Sequence, residues 1–144
     1  MQAIKVSSSD VTNLPFLKNM AEYNLPILLS VGASTVGEIE EAVETIEKTG
    51  NNKIVIMQCT LVYPTKFEDV NLRVINTLSN IFPQYPIGLS DHTLGTSIPP
   101  VAVGLGACVI EKHYTVDKTL MESADHWLSV NPVELQQMVE SIRN

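Results

Sequence analysis

An α/β fold on a parallel sheet is what this sequence predicts, and three observations carry the prediction. Short runs rich in Val, Ile and Leu alternate five times with helix-like segments, the pattern of βα units. Lys5, Ser8, Ser30, Thr60, Ser90, His92, Glu111 and His113 fall in or just past the ends of five different runs, and a βα barrel assembles its site in this way, from several strand tips. The chain has neither G-x-G-x-x-G nor G-x-x-x-x-G-K-[ST], the Gly-rich loops of sheets wound around one phosphate site. A complete barrel takes about 250 residues and eight strands, whereas this chain has 144 residues. The expected fold is therefore a TIM-type (β/α)8 barrel of which five βα units are present, an incomplete barrel forming one domain over residues 1–144.

The strand-like runs are Ala3–Ser8, Pro26–Gly32, Lys53–Thr60, Pro86–His92 and Ala107–His113. Between the first two, Asn13 to Tyr23 reads as helix. Val36 to Thr49 is the clearest helix, with Ile39, Ala42, Val43 and Ile46 on one face and mostly glutamates on the other. Ser34 or Thr35 would cap it, Glu38 lies three residues after Thr35 in capping-box spacing, and Gly50 would stop it. Asp69 to Ile81 carries Val70, Leu72, Val74, Ile75, Leu78 and Ile81 as a broad helical face, and Ser97 to Gly106 is long enough for one covering helix. Pro132 to Ile142 closes the chain, with Asn131 as cap and Pro132 at the first helical position.

Composition narrows the function classes. Apolar residues make up 44% and charged residues 17%, the balance of a globular protein. A net charge of −7 with no basic stripe argues against a nucleic-acid partner. No run approaches the roughly 18 apolar residues of a membrane span, and the N-terminus lacks a signal-peptide core. Cys59 and Cys108 lie inside apolar runs and read as small buried hydrophobes of a reducing compartment. A cytoplasmic location is expected.

His92 and His113 stand at the ends of consecutive strand-like runs, so one parallel sheet would bring them side by side as a divalent-metal pair. Glu111, two residues before His113, would share its face, while Lys112 points the other way. A carboxylate facing a barrel interior is costly unless a cation or a function accounts for it.

Five segments carry a family likeness: Lys5-Val-Ser-Ser-Ser-Asp-Val-Thr-Asn-Leu-Pro, Ile27-Leu-Leu-Ser-Val-Gly-Ala-Ser-Thr, Cys59-Thr-Leu-Val-Tyr-Pro-Thr, Gly88-Leu-Ser-Asp-His-Thr-Leu-Gly and Val109-Ile-Glu-Lys-His-Tyr-Thr-Val-Asp. In order and spacing they resemble the sialic acid (N-acetylneuraminate) synthase family, the phosphoenolpyruvate-dependent transferases that make nonulosonic acids. The resemblance runs over essentially the whole chain and implies that its strands are the fourth to eighth of the barrel. The first three strands and the C-terminal antifreeze-like domain would then be absent. It implies condensation of phosphoenolpyruvate with an N-acylated amino sugar, such as N-acetylmannosamine or a related 2,4-diacetamido sugar. His92 and His113 would hold the aldehyde-activating Mn²⁺ or Mg²⁺, and Glu111 and the loop aspartate Asp125 would be catalytic. Lys5, Ser8, Ser30 and Ser90 match the phosphoenolpyruvate-binding positions, and Tyr63 would line the sugar side.

Two departures stand out. Leu61 and Val62 occupy places where many members carry asparagine or another polar residue, and the loop Leu120–His126 replaces a Pro-Gly-Pro-Asp-like loop with one residue more. His126 reads as a loop residue rather than a third ligand. The absent strands would supply further site residues, so the isolated chain is expected to be inactive and to pair with itself as a homodimer or with a complementing N-terminal segment. Two other classes fit the same residues: a barrel aldolase using an inward lysine such as Lys5 as a Schiff base, and an inactive, self-associating half-barrel.

Overall fold

The computed structural model describes residues 2–121 and 123–144. Five strands, β1 (Ile4–Val6), β2 (Ile27–Ser30), β3 (Ile54–Cys59), β4 (Ile87–Asp91) and β5 (Val109–Lys112), form one parallel sheet in sequential order. The helices are α1 (Leu14–Ala21), α2 (Val36–Glu47), α3 (Val74–Ile81), α4 (Ile98–Gly104), α5 (Ala124–Leu128) and α6 (Pro132–Arg143). Strand alternation divides the sheet into two chemistries. Val6, Ile27, Leu29, Ile54, Ile56, Ile87 and Leu89 face one way and form a single buried core with Leu17 of α1, Ile39, Val43 and Ile46 of α2, Ile75 and Leu78 of α3 and Ala102 of α4. Lys5, Ser30, Cys59, Ser90 and Glu111 face the other way and line a cavity. Helices on one face and chemistry on the other are the layout of a barrel segment, not of a doubly wound sheet.

The sheet is strongly curved. Four steps of about 4.8 Å would put β1 and β5 roughly 19 Å apart in a flat sheet, beyond the joint reach of a lysine and a glutamate. Lys5 Nζ of β1 nevertheless lies 3.5 Å from Glu111 Oε1 of β5. The strand register explains their common height. Lys5 is paired with Leu28, Leu28 with Val55, and Gly88 with Val109, so Glu111 stands four residues above the residue level with Lys5. An eight-stranded barrel with a shear of eight climbs one residue per strand, giving a tilt of about 36°. The same climb places Lys5, Met57 and Glu111 in one layer, Ser30 and Ser90 in the next, Cys59 and His113 above these, and His92 at the rim.

Local signals account for most boundaries. Thr35 caps α2 in a full capping box, its hydroxyl accepting from Glu38 N and its own N–H donating to Glu38 at 2.7 Å. Asn131 does the same for α6 with Glu134, whose Oε2 accepts from Asn131 N at 2.9 Å. Both capping carboxyls are held below the usual glutamate range, chiefly by those backbone N–H donors. α6 packs against α4 and buries Met138.

Three expectations are corrected. The segment from Asp69 is not one helix: Phe67–Asp69 form a 3₁₀ turn, Asn71 takes φ of 50° while its Nδ2 donates to Asp69 O, and α3 starts only at Val74. The left-handed residue breaks the helix that the apolar spacing suggested. Cys108 precedes β5 and is exposed, whereas Cys59 is buried, and both thiols are free. Asp125 and His126, expected in a loop, belong to the short helix α5, whose first turn is capped by Ser123 Oγ accepting from Asp125 N. Glu122, also in that segment, lies outside the described residues. Among the described residues no helix is long and apolar enough to cross a membrane.

Gly88 faces the barrel interior, where a Cβ would stand 2.3 Å from Met57 Sδ and 2.7 Å from the Val109 carbonyl. Gly88→Ala should therefore cost about 1–3 kcal/mol in urea unfolding, because the carbonyl cannot yield. Gly104→Ala, with open space around its Cβ, should leave the midpoint unchanged or slightly raised.

Candidate active site

The tips of all five strands open into a cavity of about 310 Å³, lined by the cavity-facing layers and by Ser7, Ser8, Ser9, Leu61 and Tyr63. Its floor is ionic. Glu111 Oε1 faces Lys5 Nζ at 3.5 Å and accepts from Ser90 Oγ at 2.7 Å. Lys5 also donates to the Val6 carbonyl at 3.3 Å. Ser8 lies in a 3₁₀ turn directly after β1 (Ser8–Asp10). Its hydroxyl accepts from Gly32 N at 3.1 Å and lies 3.0 Å from Cys59 Sγ. Gly32 is required here, since a Cβ would come within 2.6 Å of the Cys59 carbonyl. Ser30, 2% exposed, has no hydrogen-bond partner for its Oγ among the described residues. A buried hydroxyl without a partner is expensive unless something else completes it, and this one is aimed into the cavity.

Above the floor stand three rings. His92 and His113 have centroids 5.5 Å apart in an edge-on arrangement at 73°. Tyr63 stacks on His92 at 4.1 Å and meets His113 edge-on at 5.6 Å. The protonation of His92 follows from its partners. Nδ1 lies 2.8 Å from the Thr60 carbonyl, which only accepts, so Nδ1 carries the proton and Nε2 carries the lone pair. Ser90 Oγ is 3.3 Å from Nε2, but its one proton is committed to Glu111. The Nε2 lone pair thus remains available toward the cavity. Burial pushes the His92 ring below the ordinary imidazole range, with His113 pushing the same way and the Thr60 carbonyl, Asp91 and Glu111 opposing. Burial, with Cys59, Asp125 and Glu111 nearby, raises the Tyr63 phenol and keeps it a neutral donor at physiological pH.

The donor set suits a borderline divalent ion: two imidazoles, one with its tautomer fixed by the Thr60 carbonyl behind it. His113 Nδ1 lies 3.8 Å from Asp125 Oδ1. Among the described residues no group of three or more His, Cys, Asp or Glu side chains is arranged to hold a metal, so water and substrate oxygens would have to complete the coordination.

Lys5, Ser8, Ser30, Tyr63, Ser90, His92, Glu111 and His113 all line this one cavity. Asp125 does not line it and meets it only through His113, with its side chain 57% exposed. His126 is directed elsewhere, its Nδ1 2.8 Å from Thr115 Oγ1. Sequence reasoning missed Ser7, Ser9, Cys59 and Leu61 as lining residues. Cys59 shares the face of Ser90 and Glu111 because the three are paired in register, a relation that only the strand pairing reveals.

A sequence model of the NeuB family matches residues 1–144. The N,N'-diacetyllegionaminic acid synthase of Legionella pneumophila is 41% identical over 148 residues, covering 100% of this chain and 41% of the relative. The crystal structure of the Bacillus subtilis spore coat polysaccharide biosynthesis protein SpsE superposes with a TM-score of 0.93 at 44% identity, covering 98% of this chain and 39% of that one. That of the N-acetylneuraminic acid (sialic acid) synthetase of Leptospira borgpetersenii, in complex with citrate, gives 0.92 at 37% identity, over 99% and 49%. With its five-stranded half-barrel and a site on the strand tips, the chain belongs to the NeuB family. It spans about two fifths of the length of the curated relatives it matches.

The lowered His92 value sets a pH signature. Below about pH 6.5 the unfolded chain binds a proton that the folded ring refuses, so this residue's contribution to stability falls as pH drops from 6.5 toward the lower folded value. NMR titration should place His92 below 6.5, and His92→Gln should flatten the pH dependence of urea unfolding in that window.

Proposed function

We propose that this chain carries the phosphoenolpyruvate-binding and aldehyde-activating face of a nonulosonic acid synthase. The substrates would be phosphoenolpyruvate and the open-chain aldehyde of an N-acylated amino sugar, such as N-acetylmannosamine or a 2,4-diacetamido sugar. The observation that carries the proposal is the convergence in one cavity of the Lys5–Glu111 pair, the partnerless Ser30 hydroxyl and the two imidazoles. The names of the relatives support the same class of product, legionaminic and sialic acids.

In such a condensation, C3 of phosphoenolpyruvate bonds to the aldehyde carbon and the aldehyde oxygen takes up a proton. Water adds at C2, and the C2–O bond to phosphate breaks, leaving a 2-oxo acid and inorganic phosphate. Lys5 supplies the cation for the anionic substrate, and the Ser8 and Ser30 hydroxyls donate to its oxygens. Glu111, oriented by Ser90 Oγ at 2.7 Å, takes a proton from the water that adds at C2. Tyr63 forms the wall against which the sugar lies. Asp125 orients His113 from the rim. Mn²⁺ or Mg²⁺ held by His92 and His113 would polarise the aldehyde oxygen.

The sheet has open outer edges at β1 and β5, and beside β1 lies a mostly apolar groove lined by Ala3, Ile4, Lys5, Met20, Tyr23 and Leu25. The Lys5–Glu111 contact sets β1 across from β5, as the first and fifth strands stand in an eight-stranded ring, so three more strands fit these edges, whereas a second copy would make ten. The preferred partner is therefore a complementing three-strand segment rather than a homodimer. The two free thiols suit a cytoplasmic setting.

The chain by itself should release no phosphate from phosphoenolpyruvate with N-acetylmannosamine or a 2,4-diacetamido sugar. Co-expression with the first three barrel strands of the Legionella relative should restore release that requires both substrates. His92→Ala or His113→Ala should weaken Mn²⁺ binding by about tenfold or more. Full turnover by the monomeric chain would overturn the complementation, and failure of the complemented barrel to act on any N-acylated amino sugar would overturn the synthase assignment.

A further inference from the structure

Asp91 and Lys112 each precede one of the two histidines, and both turn their side chains away from the cavity. They are direct partners and the last pair of the β4–β5 ladder. His92 and His113 therefore lie just beyond the point where strand pairing stops. At that final pair Lys112 Nζ stands 2.7 Å from Asp91 Oδ2, with the two side chains only 2% and 1% exposed. Both side chains also bond to Thr93. Asp91 Oδ1 accepts from Thr93 N at 3.0 Å and Oδ2 from Thr93 Oγ1 at 3.1 Å, while Lys112 also donates to the Thr93 carbonyl. His92 is thus held by both neighbours in sequence, and its own carbonyl accepts from Thr65 N at 2.9 Å.

A buried ion pair of this kind contributes little net stability compared with a well-packed apolar pair, because desolvation offsets the attraction. What it supplies is direction: three charge-assisted bonds converge on one turn and admit one geometry. We propose that Asp91, Lys112 and Thr93 are positioning residues that set the spacing of His92 and His113 from the opposite face of the sheet. The inference rests on the assignment of the two imidazoles to the site, but its own content is geometric. None of the three would touch substrate.

The test separates geometry from stability in the 144-residue chain. In Asp91→Leu/Lys112→Met the charges leave together, so no buried charge is stranded, and the melting temperature should stay near that of the parent. Three readouts are followed: thermal unfolding, metal-free NOEs between the ring protons of His92, His113 and Tyr63, and titration with Mn²⁺ alone. The expected result is loss of the His92–His113 NOEs and about tenfold weaker Mn²⁺ binding in a folded protein. Parent-like NOEs and affinity in the double variant would overturn the proposal. Should that variant fail to fold, Thr93→Val, which keeps the shape and removes one bond to Asp91, decides the matter. It should weaken Mn²⁺ binding several-fold at an unchanged melting temperature, and unchanged NOEs and affinity would overturn the proposal equally. A parent that binds no Mn²⁺ but loses its ring NOEs on substitution would sustain the positioning role and refute the metal assignment instead.

Discussion

The distances in this site depend on how far each strand climbs relative to its neighbour. One residue per strand, combined with alternation, decides which side chains share a layer, and so brings a lysine from the first strand to a glutamate on the fifth at 3.5 Å. A sheet with the same sequence but a register slipped by one residue would send Ser30, Cys59, Ser90 and Glu111 into the helix layer and expose the isoleucines. The apolar face prevents that slip. Ile27, Ile54, Ile56 and Ile87 are all at most 3% exposed against the helices, and their burial, at about 25 cal/mol per Å², holds the register that the polar face needs. Packing on the convex side thus determines chemistry on the concave side.

The polar face follows a strict economy of protons and lone pairs. Ser90 has one hydroxyl proton and gives it to Glu111. The Thr60 carbonyl takes the Nδ1 proton of His92, leaving Nε2 as a lone pair. Ser8 accepts from Gly32 N and is left with a hydroxyl proton beside Cys59. Ser30 Oγ is buried in the cavity wall with no protein partner among the described residues. A cavity that keeps a buried, partnerless hydroxyl among fixed neighbours would receive an oxygen ligand with little rearrangement.

Much of this was legible beforehand. Alternating apolar runs and capped amphipathic segments predicted the five strands in order and the α2 and α6 boundaries, because capping boxes at Thr35 and Asn131 are local and short-range. The alternation rule placed Glu111 with His113 and turned Lys112 away. What escaped were features decided by contacts distant in sequence. Apolar spacing alone could not reveal that Asn71 would adopt a left-handed conformation and delay α3. Asp91 as the partner of Lys112 needed the β4–β5 register, and the inward turn of Cys59 needed that of β3 and β4. Asp125 enters only through the family resemblance, and no periodicity reports how a segment beyond the last strand folds back toward a histidine.

The contact between Lys5 and Glu111 also has a bearing on how the chain reaches its structure. Each strand pairs with the next one along the chain, so the sheet can grow by adding neighbouring units, with modest loops to close at each step. The lysine–glutamate contact is different: it joins the first strand to the last and can form only when every intervening unit has docked and the sheet has curved. It therefore belongs to the end of folding, and only then does Glu111 meet Lys5 as well as Ser90. The ionic floor would be completed by the same event that completes the curvature, so partly folded chains would present imidazoles at their strand tips with no ion pair beneath them.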